Sequence, residues 1–277
     1  MQDMTPTTED ATAGQLVVVE AGREPGVALL TLNRPATRNS LSLAMLQALD
    51  RAMAQLGQDH SVKVIVLAAA GPVFSAGHDL KEIVAHRADA DGGRAFYELA
   101  MSTCAAAMQS IMACPKPVIA AVGGTATAAG CQLVATCDLA VAATGAKFCT
   151  PGVNIGLFCS TPMVALSRNV PRKRAMEMLL LGEQIDAAEA ADWGLVNRVV
   201  PAEHVLDTAL GLARQIAAMS PLTVASGKRA FYDQIELPVA AAYDHAARVM
   251  VENLMARDAA EGIGAFVEKR RPTWTGC

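Results

Sequence analysis

Apolar positions along the chain follow two rhythms. Short continuous apolar runs bounded by turn formers occur at Gly26 to Leu32 (GVALLTL), Val62 to Ala68 (VKVIVLA), Val118 to Val122 and Leu139 to Ala143, the pattern of buried strands. Between them the apolar positions return at helical spacing. Leu46, Leu49, Met53 and Leu56 share one face of a helix that Ser42 can cap, and a second helix is expected over Phe96 to Met112. A Gly/Ala loop at Gly123 to Gly130 and a short helix from Cys131 to about Thr136 separate the third and fourth strands. Beyond Thr161 only Leu195 to Val200 reads as a strand; the remainder is helical, with stripes such as Leu206, Leu210, Ala213 and Ile216.

Strands alternating with helices require crossover connections, so the pattern predicts an α/β fold with a mainly parallel sheet or a spiral of such units. Three parts are expected: a polar disordered tail over residues 1–14, a mixed core over 15–200 and a helical region over 201–277. A chain of 277 residues fits one large domain. The apolar stripe of an appended helix has to be buried on its own core or on another subunit, which points to self-association.

Composition narrows the function classes. Hydrophobic residues make up 52% of the chain and aromatics only 4%, so the core is built of small, closely packed aliphatics. A net charge of -4 argues against the basic face that nucleic acid requires. The seven cysteines are odd in number, lack C-x-x-C spacing and mostly sit in apolar runs; they read as buried thiols of a reducing compartment, with no disulfide and no metal site. The first fourteen residues match neither a secretory signal nor an Arg-rich transit peptide. No stretch has the length and continuity of a membrane span, about 18 apolar residues. A cytoplasmic protein with no membrane partner is the expectation.

Two segments carry candidate chemistry, Ser75 to Glu82 (SAGHDLKE) and Gly123 to Asp138 (GGTATAAGCQLVATCD). Each sets a small-residue turn directly before a helix, where backbone N–H groups are left unpaired at the positive helix end. Such donors stabilise a forming negative oxygen, and losing one costs about 2.7–4 kcal/mol of transition-state stabilisation. Glycine and alanine before a helix also serve close backbone packing alone, so one segment decides nothing; two in order favour the chemical reading.

The runs FSAGHDLKE, KPVIAAVGGTATAAGCQLVATCDLAVA, AKFCTPGVNIGLF and EAADWGLVNRVVP resemble the enoyl-CoA hydratase/isomerase (crotonase) family in sequence, spacing and order, over about Leu16 to Arg271. The resemblance implies a crotonase-type ββα spiral core with a helical C-terminal trimerisation region, assembled as a homotrimer or a dimer of trimers. It implies an acyl-CoA thioester as the bound partner, with coenzyme A entering as part of the substrate and no tightly bound cofactor. Carried over to this chain, it places the backbone amides of His78 and Ala129 in an oxyanion hole, with Ala76 and Gly77 lining the pantetheine channel. Lys81 falls near the nucleotide end of coenzyme A, and Lys269 and Arg270 either meet its phosphates, from an adjacent subunit, or form a solvated helix end. Cys159 and Ser160 fall near the acyl pocket.

The chain departs from the family where the family's hydratases carry two glutamates that orient water and move its protons. Gln132 stands at the first position and Gly152 at the second; neither titrates. Gln132 can hold a water or a polar group without exchanging a proton. Gly152 either opens room for a bulkier acyl group, lets backbone approach the ligand, or is a plain turn glycine after Pro151. Substitutes for the missing base are His78, Asn154, Cys159 and Ser160, of which only the imidazole titrates near neutrality; its side chain either faces the pocket or turns away from it. Cys159 lacks a dedicated histidine partner and reads as a buried structural thiol, and Asp138 reads as structural.

The resulting expectation is a thioester-binding protein that stabilises an enolate, with hydration weak or replaced by another CoA-thioester reaction such as decarboxylation or thioester cleavage. Two alternatives stand beside it: an active hydratase of fatty-acid metabolism with relocated acid and base, and a non-catalytic acyl-CoA binder.

Overall fold

The structure, a computed structural model, describes residues 14–277; the tail expected over 1–14 lies, apart from Gly14, outside the described residues. In chain order these form β1 (Val17–Glu24), β2 (Val27–Leu32), α1 (Leu43–Gln58), β3 (Val64–Ala69), β4 (Val73–Ser75), α2 (Leu80–Ala85), α3 (Arg94–Ala113) and β5 (Val118–Val122). There follow β6 (Thr125–Thr127), α4 (Ala129–Thr136), β7 (Leu139–Ala143), β8 (Lys147–Cys149), α5 (Pro162–Asn169), α6 (Arg172–Leu181), β9 (Ile185–Asp186), α7 (Ala187–Asp192) and β10 (Arg198–Val200). The chain ends in α8 (Val205–Ala217), α9 (Pro221–Ile235), α10 (Val239–Met255) and α11 (Arg257–Glu268).

The strands sort into two sheets. The larger has the order β1-β2-β3-β5-β7-β10 and is parallel from β2 onward, with β1 antiparallel at one edge. The smaller has the order β4-β6-β8-β9, with β4, β6 and β8 parallel and β9 antiparallel. Three successive turns, β3–β4, β5–β6 and β7–β8, thus each add one strand to each sheet before the chain passes into helix, the spiral that the alternation predicts. Ser42 caps α1 by accepting a bond from the Met45 amide, as expected from its position.

Six elements differ from the sequence reading for physical reasons. β1 is an edge strand with Val19 exposed, so it lacks the doubly buried apolar run that marks β2 and β3. β4, β6 and β8 hold three residues each, too few to show a period. β9 is a two-residue strand in a stretch that the pattern assigns to helix. α4 begins at Ala129 rather than Cys131, which puts Gln132 within its first turn.

α8 lies on the larger sheet, against β3, β5 and β7. Its buried face is Val205, Ala209, Leu210, Ala213 and Ala217, while Leu206 and Ile216 of the expected stripe sit half-buried at the margin. This helix therefore buries its stripe within its own chain. By contrast α9 and α10 bury no residue and leave Phe231, Tyr243, Met250 and Leu254 exposed.

Two carboxylates, one half-buried and one buried, fasten these last helices. Asp138 accepts from Lys228 Nζ at 2.7 Å, the Val118 amide at 2.7 Å and the Tyr232 hydroxyl at 2.9 Å. Lys228 spends its other protons on the carbonyls of Ile111 and Lys116. Every polar atom of this pair is matched, so Asp138 has a structural part. Asp258, 1% exposed, ties the C-terminal residues to the start of α9: it accepts from Ser220 Oγ at 2.6 Å, from the amide and hydroxyl of Thr275 at 2.7 and 2.8 Å, and from the Gly276 amide at 3.0 Å. Burial raises this carboxyl, but the hydrogen bonds together outweigh it and hold the pKa down at about 2.

Because the folded value lies below that of an unfolded aspartate, about 4, the contribution of Asp258 is complete above that pH and is lost as pH falls toward 2. Trp274, whose Nε1 donates to the Ala218 carbonyl at 2.8 Å, reports on this. Its fluorescence, measured in a Trp193→Phe background, is expected to shift to the red between about pH 4 and pH 2, and Asp258→Ala is expected to show the shifted spectrum already at neutral pH.

Candidate active site

The parallel strands β4, β6 and β8 end at one edge of the smaller sheet, so the segments that follow them come together: Ala76–His78, Ala128–Ala129 and Thr150–Gly152. Glycines let these segments touch. A Cβ on Gly130 would lie 2.4 Å from the Ser75 carbonyl oxygen, and one on Gly77, at φ +81°, would lie 2.9 Å from Ala128 Cβ, 3.0 Å from Thr127 O and 3.2 Å from Ala129 N. The bend after β4 therefore runs directly against the bend after β6. Ala128 itself is held at φ 50°, ψ -119°, a conformation that costs a non-glycine residue about 1–3 kcal/mol; its N–H is tied to the Cys149 carbonyl at 2.9 Å and its carbonyl to the Gln132 amide at 3.0 Å.

Most of the polar backbone around the first bend is satisfied by the loop before α1. The Ala76 amide bonds the Arg38 carbonyl and the Leu41 amide bonds the Gly77 carbonyl. Asn39, fully buried and itself at φ 51°, donates to the carbonyls of Ala70 and Val73, accepts from the Arg34 amide, and offers its own carbonyl to Ser75 Oγ. Sequence reasoning misses Asn39; the available signal is its tolerance of left-handed backbone within RNSLS. Amides are left over at both bends. Among the described residues, the N–H groups of His78 and Ala129 have no acceptor; Ala129 is the first residue of α4 and so has none within its helix.

The side chains around these amides are neutral. Burial lowers the pKa of His78, and its Nε2 is buried without a partner, so it is not a surface histidine. Gln132 is 5% exposed, and its amide makes one contact, with Cys104 Sγ at 4.0 Å. Burial pushes the Cys104 thiol up to about 11. Cys159 is buried; burial raises its pKa, and the Gly152 amide directed at its sulfur only partly offsets this. It is a protonated thiol at neutral pH. Ser160 is exposed and bonds the Phe158 carbonyl. The carboxylates nearest in sequence are committed: Asp79 caps α2 and accepts from Ser40 Oγ, and Glu82 accepts from the Leu43 amide.

Two expectations change here. Gly152 opens no room for an acyl group: a Cβ there would lie 2.8 Å from the Leu157 carbonyl oxygen and 2.9 Å from Cys159 Sγ, so the place of a side chain is filled from within the chain. It lies in the 3-10 turn Pro151–Ile155, as the reading of a plain turn glycine has it, with a φ that is not positive. The cations fare unequally. Lys81 is exposed at the start of α2, whereas Lys269 and Arg270 directly follow α11; Lys269 is exposed, but the Arg270 guanidinium is bound by Glu261 at 2.6 and 2.8 Å and by Glu268 at 2.6 Å. Within one chain Arg270 is thus an ion-paired helix end. A cavity of about 530 Å³ opens at the opposite end of α4, beside Thr136, Asp138, Arg168 and Tyr232, and takes in none of these groups. Among the described residues no cluster of three or more side chains could hold a metal, and no helix is long and apolar enough to cross a membrane.

A two-sheet spiral of this kind with a helical C-terminal region is the crotonase fold. The chain belongs to the enoyl-CoA hydratase/isomerase family, whose sequence profile matches residues 22–277. It is 47% identical to the mitochondrial enoyl-CoA hydratase domain-containing protein 3 of Rattus norvegicus over 253 residues, covering 91% of this chain and 83% of that one. It is 35% identical to a probable enoyl-CoA hydratase of Rhizobium meliloti (strain 1021) over 257 residues, covering 92% and 96%. Among solved structures, the enoyl-CoA hydratase of Mycobacterium smegmatis superposes with a TM-score of 0.88 at 50% identity, covering 94% of this chain and 98% of that one. Human enoyl-CoA hydratase domain-containing protein 3 does so with 0.88 at 46% identity, covering 94% and 100%. The stretches RNSLSLAML, GPVFSAGHDLKE, AAAGCQLVATCDLAVA, TPGVNIGLFCSTP and VPRKRAMEML point to that same protein and its bacterial relatives. The expected cytoplasmic location is overturned: the domain-containing protein 3 relatives of rat, mouse and human are mitochondrial by name. Free thiols separate reducing from oxidising compartments and cannot tell two reducing ones apart.

The contact between the bends makes opposite predictions for two small substitutions. Gly77→Ala, which forces backbone apart, is expected to lower unfolding stability by about 1–3 kcal/mol. Ala128→Gly, which relieves strain, is expected to raise it by about 1 kcal/mol; urea midpoints measure both.

Proposed function

We propose that this protein binds acyl-CoA thioesters at the end of the smaller sheet, with the thioester oxygen between the amides of His78 and Ala129, and acts where the transition state gathers charge on that oxygen without an enzymic carboxylate to relay protons. The observation that carries this reading is the pair of unpaired amides on abutting bends, joined to Gln132 and Gly152 where two titrating groups would be needed for hydration. Losing positioned acid–base groups costs about 10²–10⁴-fold each, so efficient addition of water is not expected, while decarboxylation or thioester cleavage draws directly on oxyanion stabilisation. Coenzyme A enters as part of the substrate, and this chemistry calls for no further cofactor. Ala76 and Gly77 then border the pantetheine arm, Cys159 and Ser160 stand toward the acyl end, and Lys81 and Lys269 are the exposed cations left for the nucleotide phosphates. The exposed apolar residues of α9 and α10 support a homotrimer or a dimer of trimers, which native mass spectrometry would count.

The reading has a direct spectroscopic test. The thioester C=O stretch of bound hexadienoyl-CoA, followed by Raman difference spectroscopy, is expected to move to lower frequency than in solution, and Ala129→Pro, which deletes one donor at a helix position where proline is tolerated, is expected to reduce the shift. Crotonyl-CoA hydration at a kcat in the usual enzyme range of about 1–10³ s⁻¹ would overturn the claim of an absent proton relay and favour a relocated base, for which His78→Ala is the check. Binding without turnover, in a mass-spectrometric product scan over several thioesters, would leave an acyl-CoA binder.

A further inference from the structure

A peptide group is planar, and in a trans peptide its C=O and N–H point to opposite sides, so whatever holds the carbonyl also aims the amide. The Ala128 carbonyl, on the plane that carries the Ala129 N–H, is held by the Gln132 amide at 3.0 Å, from within the start of α4. The Gly77 carbonyl, on the plane that carries the His78 N–H, is held from outside its own segment, by the Leu41 amide at 2.8 Å, and Leu41 pairs with His78 as an isolated parallel bridge. The direction of the His78 donor is therefore set by the loop before α1.

That loop has a conformation its backbone does not favour. Arg38 and Asn39 stand in succession at φ 54° and 51°, left-handed values that are costly for residues with a side chain and least so for asparagine among the larger ones. The Asn39 carboxamide supplies what keeps them there. Fully buried, it spends both N–H donors on the carbonyls of Ala70 and Val73, at 2.9 and 2.8 Å, and accepts from the Arg34 amide at 2.8 Å. Its backbone carbonyl takes the Ser75 hydroxyl at 2.9 Å, and Ser75 Oγ in turn accepts from the Gly77 amide at 3.3 Å. The amide and the carbonyl of Gly77 are thus both referred to this loop, and the His78 N–H is left pointing away from it.

We propose that Asn39 is a positioning residue: it fixes the loop from which the Leu41 amide, through the Gly77 carbonyl, aims the His78 N–H at the thioester oxygen. The inference rests on the acyl-CoA reading above and adds the residue that sets the geometry of one of its donors. Oxyanion stabilisation requires donors held within hydrogen-bond distance of the forming charge, and a loosened peptide plane loses that even in a protein that stays folded.

The test is the thioester C=O stretch of bound hexadienoyl-CoA, read by Raman difference spectroscopy beside calorimetric affinity, in wild type, Asn39→Gly, Asn39→Gly combined with Ala129→Pro, and Ser220→Ala. Glycine keeps the left-handed backbone and its carbonyl and removes only the carboxamide. Asn39→Gly is expected to lose about half of the wild-type shift with affinity kept within about threefold, and in the Ala129→Pro background, where the His78 donor is left, to lose what remains. Ser220→Ala, which takes a hydrogen bond from Asp258 in the C-terminal helices, is expected to keep the full shift. A full shift in folded, ligand-bound Asn39→Gly gives the residue a structural part only and overturns the inference, leaving the acyl-CoA reading intact. So does an equal loss in Ser220→Ala, which ties the shift to stability, or binding lost outright in Asn39→Gly, which makes the loop part of the binding surface. If Asn39→Gly does not fold, replacement of Leu41 by its α-hydroxy acid, which makes the amide an ester and removes the donor to Gly77, decides in its place: a reduced shift supports the inference and an unchanged one overturns it. Absence of a shift in wild type, or failure of wild type to bind, removes the acyl-CoA reading and this inference with it.

Discussion

The contact that the rest of the site depends on is the bend after β4 pressed on the bend after β6, where Gly77 meets the Ala128 Cβ, the Thr127 carbonyl and the Ala129 amide. Steric necessity, not hydrogen bonding, sets this arrangement. Gly130 allows α4 to start against Ser75, and the loop carrying Asn39 consumes the polar atoms on the outer side of the first bend. The His78 and Ala129 amides are left unsatisfied. The strained backbone of Ala128 fits this picture, since strain survives only where surrounding structure over-determines a residue. Preorganised amides of this sort need no rearrangement when charge develops on a bound oxygen.

Around these donors the chain has assembled a neutral, largely buried environment. His78, Gln132, Thr150 and the thiols of Cys104 and Cys159 carry no charge at neutral pH on their positions and burial. The nearby carboxylates of Asp79 and Glu82 serve helix starts. A low-dielectric surrounding strengthens whatever the two amides do, and it makes every unpaired polar atom there more consequential. Cys159 adds a steric element, because its sulfur occupies the direction in which any side chain at position 152 would project.

How much of this is legible in the sequence depends on length and burial. β5 and β7 are readable to the residue, because a five-residue apolar run closed by turn formers at both ends fits a buried strand and little else. The three-residue strands that create the site edge are not, because their pairing is set by long-range register and leaves no periodic trace. The two bends stand out through their small residues, yet their contact with each other is a tertiary fact. Gly152 is open to several readings until the chain folds Leu157 and Cys159 against it. Asn39 acts through hydrogen bonds, which residue type alone does not announce. The helical stripe on α8 is found with its face turned slightly, since its buried side is made largely of alanines, Ala209, Ala213 and Ala217.

Asp138 lies just beyond the end of α4, whose first residue offers the Ala129 amide, and it is also the residue to which α9 is bolted through Lys228 and Tyr232. An eight-residue helix is a strut of about 12 Å, stiff over that distance. The exposed apolar residues of α9 and the Ala129 amide are therefore attached to opposite ends of one short helix.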